Sequence, residues 1–442
     1  MSTIPQKWNF GAGPAMIPRP VLERAQAEFL NYEDTGVSLM ELSHRSETYE
    51  NLNNRAQQQL RQLLSIPENY KILFMQGGGH TQFAAVVYNL IAWRHHQNKA
   101  KTNNKPTSDH WKDIPVDYIV TGAWSAKAVE EAKRLGANAR VICDAKKSLG
   151  AFTGIPAEET WLTSDPEGPT RKADKEAGQT PAYLYYCDNE TVNGVEFSFV
   201  PSMHDPEVPL VCDMSSNILS RPVDVSKFGV IYAGAQKNIG PAGVSVVIIR
   251  DDLLQTSEEK DGLSPVPLML DYKTMVKNNS LYNTPPMFAI YMSSLVFEWL
   301  LDPKAQRIQD GEKEADKSIQ QDLVGVQAAA ARNARKAGKL YKALQESKLY
   351  RIVVTDEKSR SKMNVPFRIS TADKLDPHAV SDKKKDEALE AAFVAQAEAK
   401  GLLQLAGHRS VGGIRASIYN AMPEEGVDVL IDFLKEFEKQ NA

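Results

Sequence analysis

With 442 residues the chain is longer than one hydrophobic core usually supports, so two domains are expected. Hydrophobic residues at 42% and charged residues at 24% are ordinary globular values and exclude disordered and fibrous classes. A net charge of -4 excludes bulk electrostatic attraction to nucleic acid or to acidic membranes. Three cysteines, Cys143, Cys187 and Cys212, form an odd set without metal-ligand spacing, so neither a disulfide framework nor a bound metal is expected. The first residues show no charged-then-apolar signal pattern, and no apolar run approaches the ~18 residues of a membrane span. A cytoplasmic protein with no membrane and no nucleic-acid partner is expected.

The first helix is predicted after "IPRP", where Val21, Leu22, Ala25, Phe29 and Leu30 recur at near-helical spacing and Pro20 suits a first turn. A second is predicted over Tyr49 to Leu64, with one apolar stripe of Tyr49, Leu52, Ala56, Leu60, Leu63 and Leu64. From Lys71 short apolar runs alternate with glycines and helical patterns: "KILFMQ", "GGG", "HTQFAAVVYNLIAW", then "VDYIVTG" before "AWSAKAVEEAKRLG". "AYLYYCDNE", "PLVCDMSS" and "GVIYAGA" supply further strands, and "VSVVIIR" follows closely enough to return antiparallel. Continuous apolar strands alternating with helices predict an α/β domain, a mostly parallel sheet covered on both faces, over residues 18–300.

Two polar segments without periodicity, residues 94–115 and 156–180, are expected as solvated insertion loops. The His95, His96 and lysine cluster of the first is alternatively a partner patch. After "SSLVFEWLL" and a charged stretch, a smaller α+β domain is expected over 301–442, joined by segment 1–17. It has an alanine-rich helix, the strands "YRIVV", "VPFRIS" and "GIRASIY", the helix "DEALEAAFVAQAEAKG", and a terminal helix with Val427, Leu430, Leu434 and Phe437 on one stripe.

Three features carry chemistry. "GGGH", residues 77–80, stands between a strand and a helix, where glycine admits a ligand to the backbone and a helix start attracts an anion; a plain tight turn is the alternative. It fits neither common nucleotide loop. Asp213 follows a buried apolar run, at the strand end where open α/β sheets bind ligands; a structural cap is the alternative. Lys237, in "YAGAQKNIGPAG", stands among small and turn-forming residues past the next strand. Desolvated there, its amine becomes a nucleophile fit for Schiff-base chemistry; on the surface it is one lysine among many. An anion site, a carboxylate and an amine together are what pyridoxal 5'-phosphate requires: a seat for its phosphate, a partner for its ring nitrogen and a partner for its aldehyde.

The strings "NFGAGPAMIP", "SHRS", "TGAWSAKA", "CDNETVNGVEF", "CDMSSNILSRPVDVSKFGVIYAGAQKNIGPAG", "NTPP" and "GHRSVGGIRASIYNAM" closely resemble the phosphoserine aminotransferases, fold type I enzymes dependent on pyridoxal phosphate. The resemblance spans nearly the whole chain outside the two polar segments and the region around 303–320. It implies a homodimer with active sites between subunits and a reversible transfer of the amino group of L-glutamate to 3-phosphohydroxypyruvate, giving O-phospho-L-serine in L-serine biosynthesis. Lys237 matches the lysine that binds the cofactor aldehyde, Asp213 the partner of the ring nitrogen, Trp124 the aromatic stacked on the ring and Thr191 a contact near the ring hydroxyl. Gly79, His80 and Gln236 match phosphate-holding positions, with Asn283 and Thr284 supplied by the neighbouring subunit. Arg415 matches the arginine on the substrate α-carboxylate, a planar pairing. His44, Arg45, His408 and Arg409 match groups that receive the substrate phosphate or the glutamate side chain. The chain departs from the bacterial pattern at one place, with His80 and Thr81 where an arginine follows the glycine run.

Two rival readings predict different observations. A fold type I lyase or desulfurase calls for a cysteine on an accessible loop, whereas all three cysteines fall in or beside predicted strands. A non-enzymatic scaffold, binding a partner through residues 94–115, would leave Lys237 without a role.

Overall fold

The computed structural model describes residues 6–101, 113–163, 165, 168–177, 179–202, 205–255, 266–305, 323–373 and 380–441. Its strands are β1 (Trp8–Asn9), β2 (Tyr70–Met75), β3 (Pro115–Val120), β4 (Asn138–Asp144), β5 (Leu184–Cys187), β6 (Asn189–Glu190), β7 (Val195–Glu196), β8 (Leu210–Asp213), β9 (Val230–Gly234), β10 (Ser245–Arg250), β11 (Tyr350–Ile352), β12 (Asn364–Ile369), β13 (Leu402–Leu403) and β14 (Ile414–Ser417). Its helices are α1 (Arg19–Glu28), α2 (Glu47–Leu64), α3 (Gly78–Lys101), α4 (Ala123–Arg134), α5 (Ala145–Leu149), α6 (Pro169–Ala177), α7 (Tyr272–Lys277), α8 (Met287–Leu301), α9 (Gly325–Glu346), α10 (Lys383–Ala399) and α11 (Glu424–Asn441).

Seven strands form the central sheet in the order β2-β10-β9-β8-β5-β3-β4. Only β10 runs against its neighbours, as the short "GPAG" connection from β9 requires. Strands β3, β5, β8 and β9 are buried along their whole length, which is why they read as apolar runs without alternation. Their side chains still alternate between faces. Ile72, Phe74, Val246 and Ile248 join one core with α2 and α8, while Leu73, Met75, Val247 and Ile249 join a second with α3, α4 and α7. The predicted α2 stripe of Tyr49, Leu52, Ala56, Leu60, Leu63 and Leu64 is buried throughout, behind an N-cap at Ser46.

A third core joins Trp8 and Phe10 to β11, β12 and β14 and to helices α9, α10 and α11, and it takes in Val427, Leu430, Leu434 and Phe437. Strand β1 pairs in parallel with β13, so the N-terminal segment is bound to the C-terminal layer.

The polar segments depart from expectation. Residues 94–101 continue α3 instead of opening a loop, and Arg94 and His95 are each 2% exposed. Arg94 donates to the Glu207 carbonyl and lies 4.6 Å over the Trp93 ring, so a charged end that read as solvated is docked, and the buried His95 is no surface patch. Residues 102–112 lie outside the described residues. In the segment 156–180, Trp161 is buried and donates to the Pro156 carbonyl at 3.1 Å. The same segment holds α6, whose Asp174 meets Arg140 at 2.6 Å. Its composition hid a buried tryptophan and a helix tied to β4 through Asp174 and Arg140. Of the predicted first stripe, Val21 and Ala25 are buried, but Leu22, Phe29 and Leu30 are exposed, Leu30 to 80%.

Candidate active site

Strands β5, β8 and β9 end side by side, with Cys187 opposite Asp213 and Asp213 opposite Tyr232. Their C-terminal edge faces the start of α3 across a cavity of about 260 Å3. Gly79, His80, Trp124, Thr191, Asp213, Gln236, Lys237, His408 and Arg415 all line it, so the structure brings together most of the residues marked in the sequence.

Lys237 is held from both sides of its loop. Ala15 N–H donates to the Gln236 carbonyl at 2.8 Å, and Asn238 donates to the Ile218 carbonyl at 3.0 Å while accepting from Asn420 N–H at 3.0 Å. The side chain is 9% exposed, which excludes an ordinary surface lysine. Its Nζ donates to Thr191 Oγ1 at 2.6 Å. Burial lowers the amine to about 8, against the opposing pull of the Asp213 carboxylate. Gly13 lies over this side chain with φ +140°, and a Cβ there would stand 3.4 Å from both Gln236 and Lys237 side chains. The "GAGP" turn thus roofs the site, a role its glycines alone did not reveal.

Asp213 accepts from Ser215 N–H at 2.8 Å, and Ser215 Oγ accepts from Gly234 N–H at 3.0 Å. That turn bond belongs to the structural alternative, yet the same carboxylate faces the cavity. Burial raises Asp213, while the Ser215 hydrogen bonds and the Lys237 charge oppose the rise. A cationic ring nitrogen in the cavity is the partner that would reverse it.

Two helices begin at this edge, and their termini differ. At α4 the first turn is already satisfied: Trp124 N–H and Ser125 N–H donate to the Glu190 carboxylate at 2.8 and 2.9 Å, and Ala123 N–H donates to Asn193 Oδ1 at 2.9 Å. At α3 the chain enters through Gly77 and Gly78, with φ +93° and +67°, and Gly79 and His80 line the cavity. A Cβ on Gly79 would meet nothing nearer than Asp213 Oδ2 at 3.9 Å, so the backbone here is open to a ligand. Of the two, α3 is the terminus available to a phosphate, by its unpaired N–H groups and positive dipole end. The tight-turn reading of "GGGH" accounts for Gly77 and Gly78 but not for the opening at Gly79.

Trp124 forms the opposite wall, its ring 5.9 Å from Lys237 Nζ and 5.5 Å from the His80 ring. Its Nε1 is buried without a hydrogen-bond partner among the described residues, as is Arg415 Nε. Arg415, on β14, donates to the Thr191 carbonyl at 3.2 Å, and burial lowers its guanidinium. Buried donors without an acceptor are costly, and the Arg415 guanidinium and the α3 terminus are the donor groups that border the cavity. They fit anionic ligands, and the whole set fits pyridoxal phosphate: α3 for the phosphate, Asp213 for the ring nitrogen and Lys237 for the aldehyde. His408 also lines the cavity; its Nδ1 lies 2.7 Å from Ser410 Oγ, and burial, then Arg415, lowers its ring.

The remaining marked residues do not line this cavity. Arg409 is exposed, His44 and Arg45 precede the N-cap of α2, and Asn283 and Thr284 precede α8, with the Thr284 carbonyl accepting from Gln76 at 3.2 Å. The sequence reading passed over Phe83, Asn189, Ser215 and Ser216, which line the cavity. Asn189 sits inside the quoted "CDNETVNGVEF" string, and the two serines inside "CDMSS", so position beside Thr191 and Asp213 was the available signal. The three cysteines are buried without disulfide partners, in β4, β5 and β8, and burial raises each thiol; Cys187 lines the cavity, but from within β5 and with its Sγ donating to the Asn189 carbonyl at 3.4 Å, so none is the loop cysteine a desulfurase reading needs. Among the described residues no cluster of His, Cys, Asp or Glu could hold a metal.

Comparison with known proteins agrees with this geometry. A family profile described as aminotransferase class-V matches residues 7–115 and 145–327. Phosphoserine aminotransferase from Laribacter hongkongensis is 42% identical over 98% of this chain and 99% of its own. The Drosophila melanogaster phosphoserine aminotransferase is 44% identical with the same coverage. The crystal structure of pyridoxal-phosphate-bound phosphoserine aminotransferase from Trichomonas vaginalis superposes with a TM-score of 0.77 at 37% identity, covering 97% of this chain and 100% of that one. On fold, cavity and sequence together, the chain belongs to the class-V aminotransferases and, among them, to the phosphoserine aminotransferases.

Proposed function

We infer that the chain is a pyridoxal-phosphate-dependent transaminase moving the amino group of L-glutamate to 3-phosphohydroxypyruvate, giving O-phospho-L-serine and 2-oxoglutarate in L-serine biosynthesis. The observation that carries this is the buried Lys237 amine sharing one cavity with the buried Asp213 carboxylate, in a chain of this family. When bound, pyridoxal phosphate supplies an aldehyde that takes up the amino group and a ring that draws electrons from the substrate carbon. Lys237 Nζ, lowered to about 8, is the base for removing and returning a proton at the substrate α-carbon. Thr191 restrains that amine between turns, and Asp213 holds positive charge on the ring nitrogen. Trp124 walls the ring, and Arg415, which lines the cavity, takes the α-carboxylate by a planar guanidinium pairing. His408 stands on the same wall as Arg415 for the second acidic group of either substrate.

The test is an assay of purified protein with 2-oxoglutarate and either phosphoserine or unphosphorylated serine. A preference for phosphoserine of at least ~100-fold in kcat/KM is expected, about 2.8 kcal/mol of charge recognition. Equal use of the two would reject a pocket built for a second anion.

The reading extends to a homodimer in which His44, Arg45, Asn283 and Thr284 complete the partner's site. What supports it is their position away from their own cavity and the exposed Leu22, Phe29, Leu30, Val37 and Met40 along one stretch of chain. Mixing inactive Lys237→Ala and Arg45→Ala proteins under conditions of subunit exchange is expected to restore about a quarter of wild-type activity, since half the dimers then carry one intact site. No recovery despite exchange would contradict a shared site. Residues 18–300 form the large domain and 301–442 with 1–17 the small one, a division supported by the third core around Trp8 and Phe10. A cytoplasmic location is in keeping with three unpaired cysteines, and fractionation of cells would check it. Among the described residues no helix is long and apolar enough to cross a membrane.

A further inference from the structure

Between β5 and β8 the chain makes a small hairpin, β6 and β7, that touches both walls of the cavity. Thr191 at its tip accepts from Lys237 Nζ. One residue earlier, Glu190 points the other way, is 0% exposed and receives both Trp124 N–H and Ser125 N–H at the start of α4, together with Ser125 Oγ at 2.5 Å. Asn193, still in the hairpin turn, takes Ala123 N–H. The approach is close because residue 122 is glycine: a Cβ there would lie 2.4 Å from the Glu190 carboxyl carbon.

We propose that Glu190 is a positioning residue that fixes the Trp124 ring against the cofactor, so that one hairpin sets the distance between the ring's wall and the amine that attacks it. A carboxyl group at a helix start accepts bonds from the first-turn N–H groups and, where ionised, complements the positive dipole end; burial raises Glu190 to about 7, against the pull of the Ser125 and Trp124 hydrogen bonds. The group is buried, so its donors have no water to replace it, and removing it leaves the Trp124 and Ser125 N–H groups unsatisfied in the turn that carries Trp124, while Ser125 Oγ keeps its bond to the Gly122 carbonyl at 3.2 Å. Because Glu190 and Thr191 are adjacent, a shift at Trp124 is transmitted to the hydrogen bond of Lys237 through a single peptide unit. The same side chain occupies the α4 terminus with an internal acceptor, leaving α3 as the seat for an external one.

This inference rests on the reading of Trp124 as the aromatic wall of the cofactor, and the experiment separates the two. Apoprotein of wild type, Glu190→Gln, Glu190→Ala, Ser125→Ala and Trp124→Ala is titrated with pyridoxal phosphate, following cofactor absorbance and the near-ultraviolet dichroism of the tryptophans. Turnover is measured in parallel. Glu190→Ala is expected to weaken cofactor binding by on the order of 10- to 100-fold and to remove the same dichroism band as Trp124→Ala. Its kcat falls while KM for glutamate stays within about threefold, since Arg415 is untouched. Glu190→Gln, which keeps an acceptor of the same shape, recovers part of the band. Ser125→Ala, which spares the carboxylate, gives a smaller change in the same direction and answers the question should Glu190→Ala fail to fold. If Trp124→Ala alters binding but Glu190→Ala and Ser125→Ala leave binding and dichroism at wild-type values, the positioning role is wrong. If Trp124→Ala itself changes nothing, the aromatic wall is wrong instead.

Discussion

Lys237→Ala protein will fold, will bind pyridoxal phosphate weakly and will show no measurable transamination, a loss of at least ~10,000-fold against wild type if the lysine is both anchor and base. The position demands little of the fold. Among the described residues the amine donates to Thr191, and the loop is held by the backbone of Gln236 and the side chain of Asn238. Alanine leaves those bonds in place and removes only a buried amine whose desolvation is costly. The pH behaviour of the wild-type apoprotein belongs to the same result. An ordinary lysine near 10.4 is about 0.1% neutral at pH 7.5, whereas one near 8 is about a quarter neutral there. Lowering the amine therefore favours the free base at neutral pH, and the rate of cofactor capture should rise about tenfold per pH unit up to roughly pH 8 and then level off. A rate still climbing at pH 10, or turnover retained in Lys237→Ala, would contradict the assignment.

Asp213→Asn will lower turnover by at least ~30-fold with little change in KM for glutamate. A carboxylate about 4 Å from a cation contributes on the order of 4 kcal/mol at an effective dielectric near 20, and losing half of it from the transition state already costs ~30-fold. Asparagine can still accept from Ser215 N–H, so the turn after β8 survives and the measurement reports charge. Burial raises Asp213 in the protein alone, and that makes a cationic partner the natural resident of the cavity. Near-normal turnover in Asp213→Asn would reduce the carboxylate to a turn-forming role.

The parts of this arrangement that were legible in the sequence are those where one physical demand dominates. Strands β5, β8 and β9 announced themselves as apolar runs because both faces of the sheet are covered, and their ends marked Asp213 and the Lys237 loop. The antiparallel return of β10 followed from loop length alone. Residues 94–101 and α6 were misread because polar side chains can be buried against carbonyls or a single counter-ion, as Arg94 and Asp174 are, without leaving an apolar period. Glu190 escaped notice for a related reason. Its carboxylate serves backbone N–H groups 66 and 65 residues away in sequence, a relation that exists only once β6 is folded beside α4. Leu22 shows the converse, a helical residue of α1 that faces away from its own core, while Phe29 and Leu30 fall past the helix end at Glu28 and are exposed.

Borohydride reduction of the cofactor-loaded protein, followed by peptide mapping, tests the central claim most directly. The account predicts a single pyridoxyl adduct, on Lys237. An adduct on any other lysine, or none from protein that binds the cofactor, would contradict it.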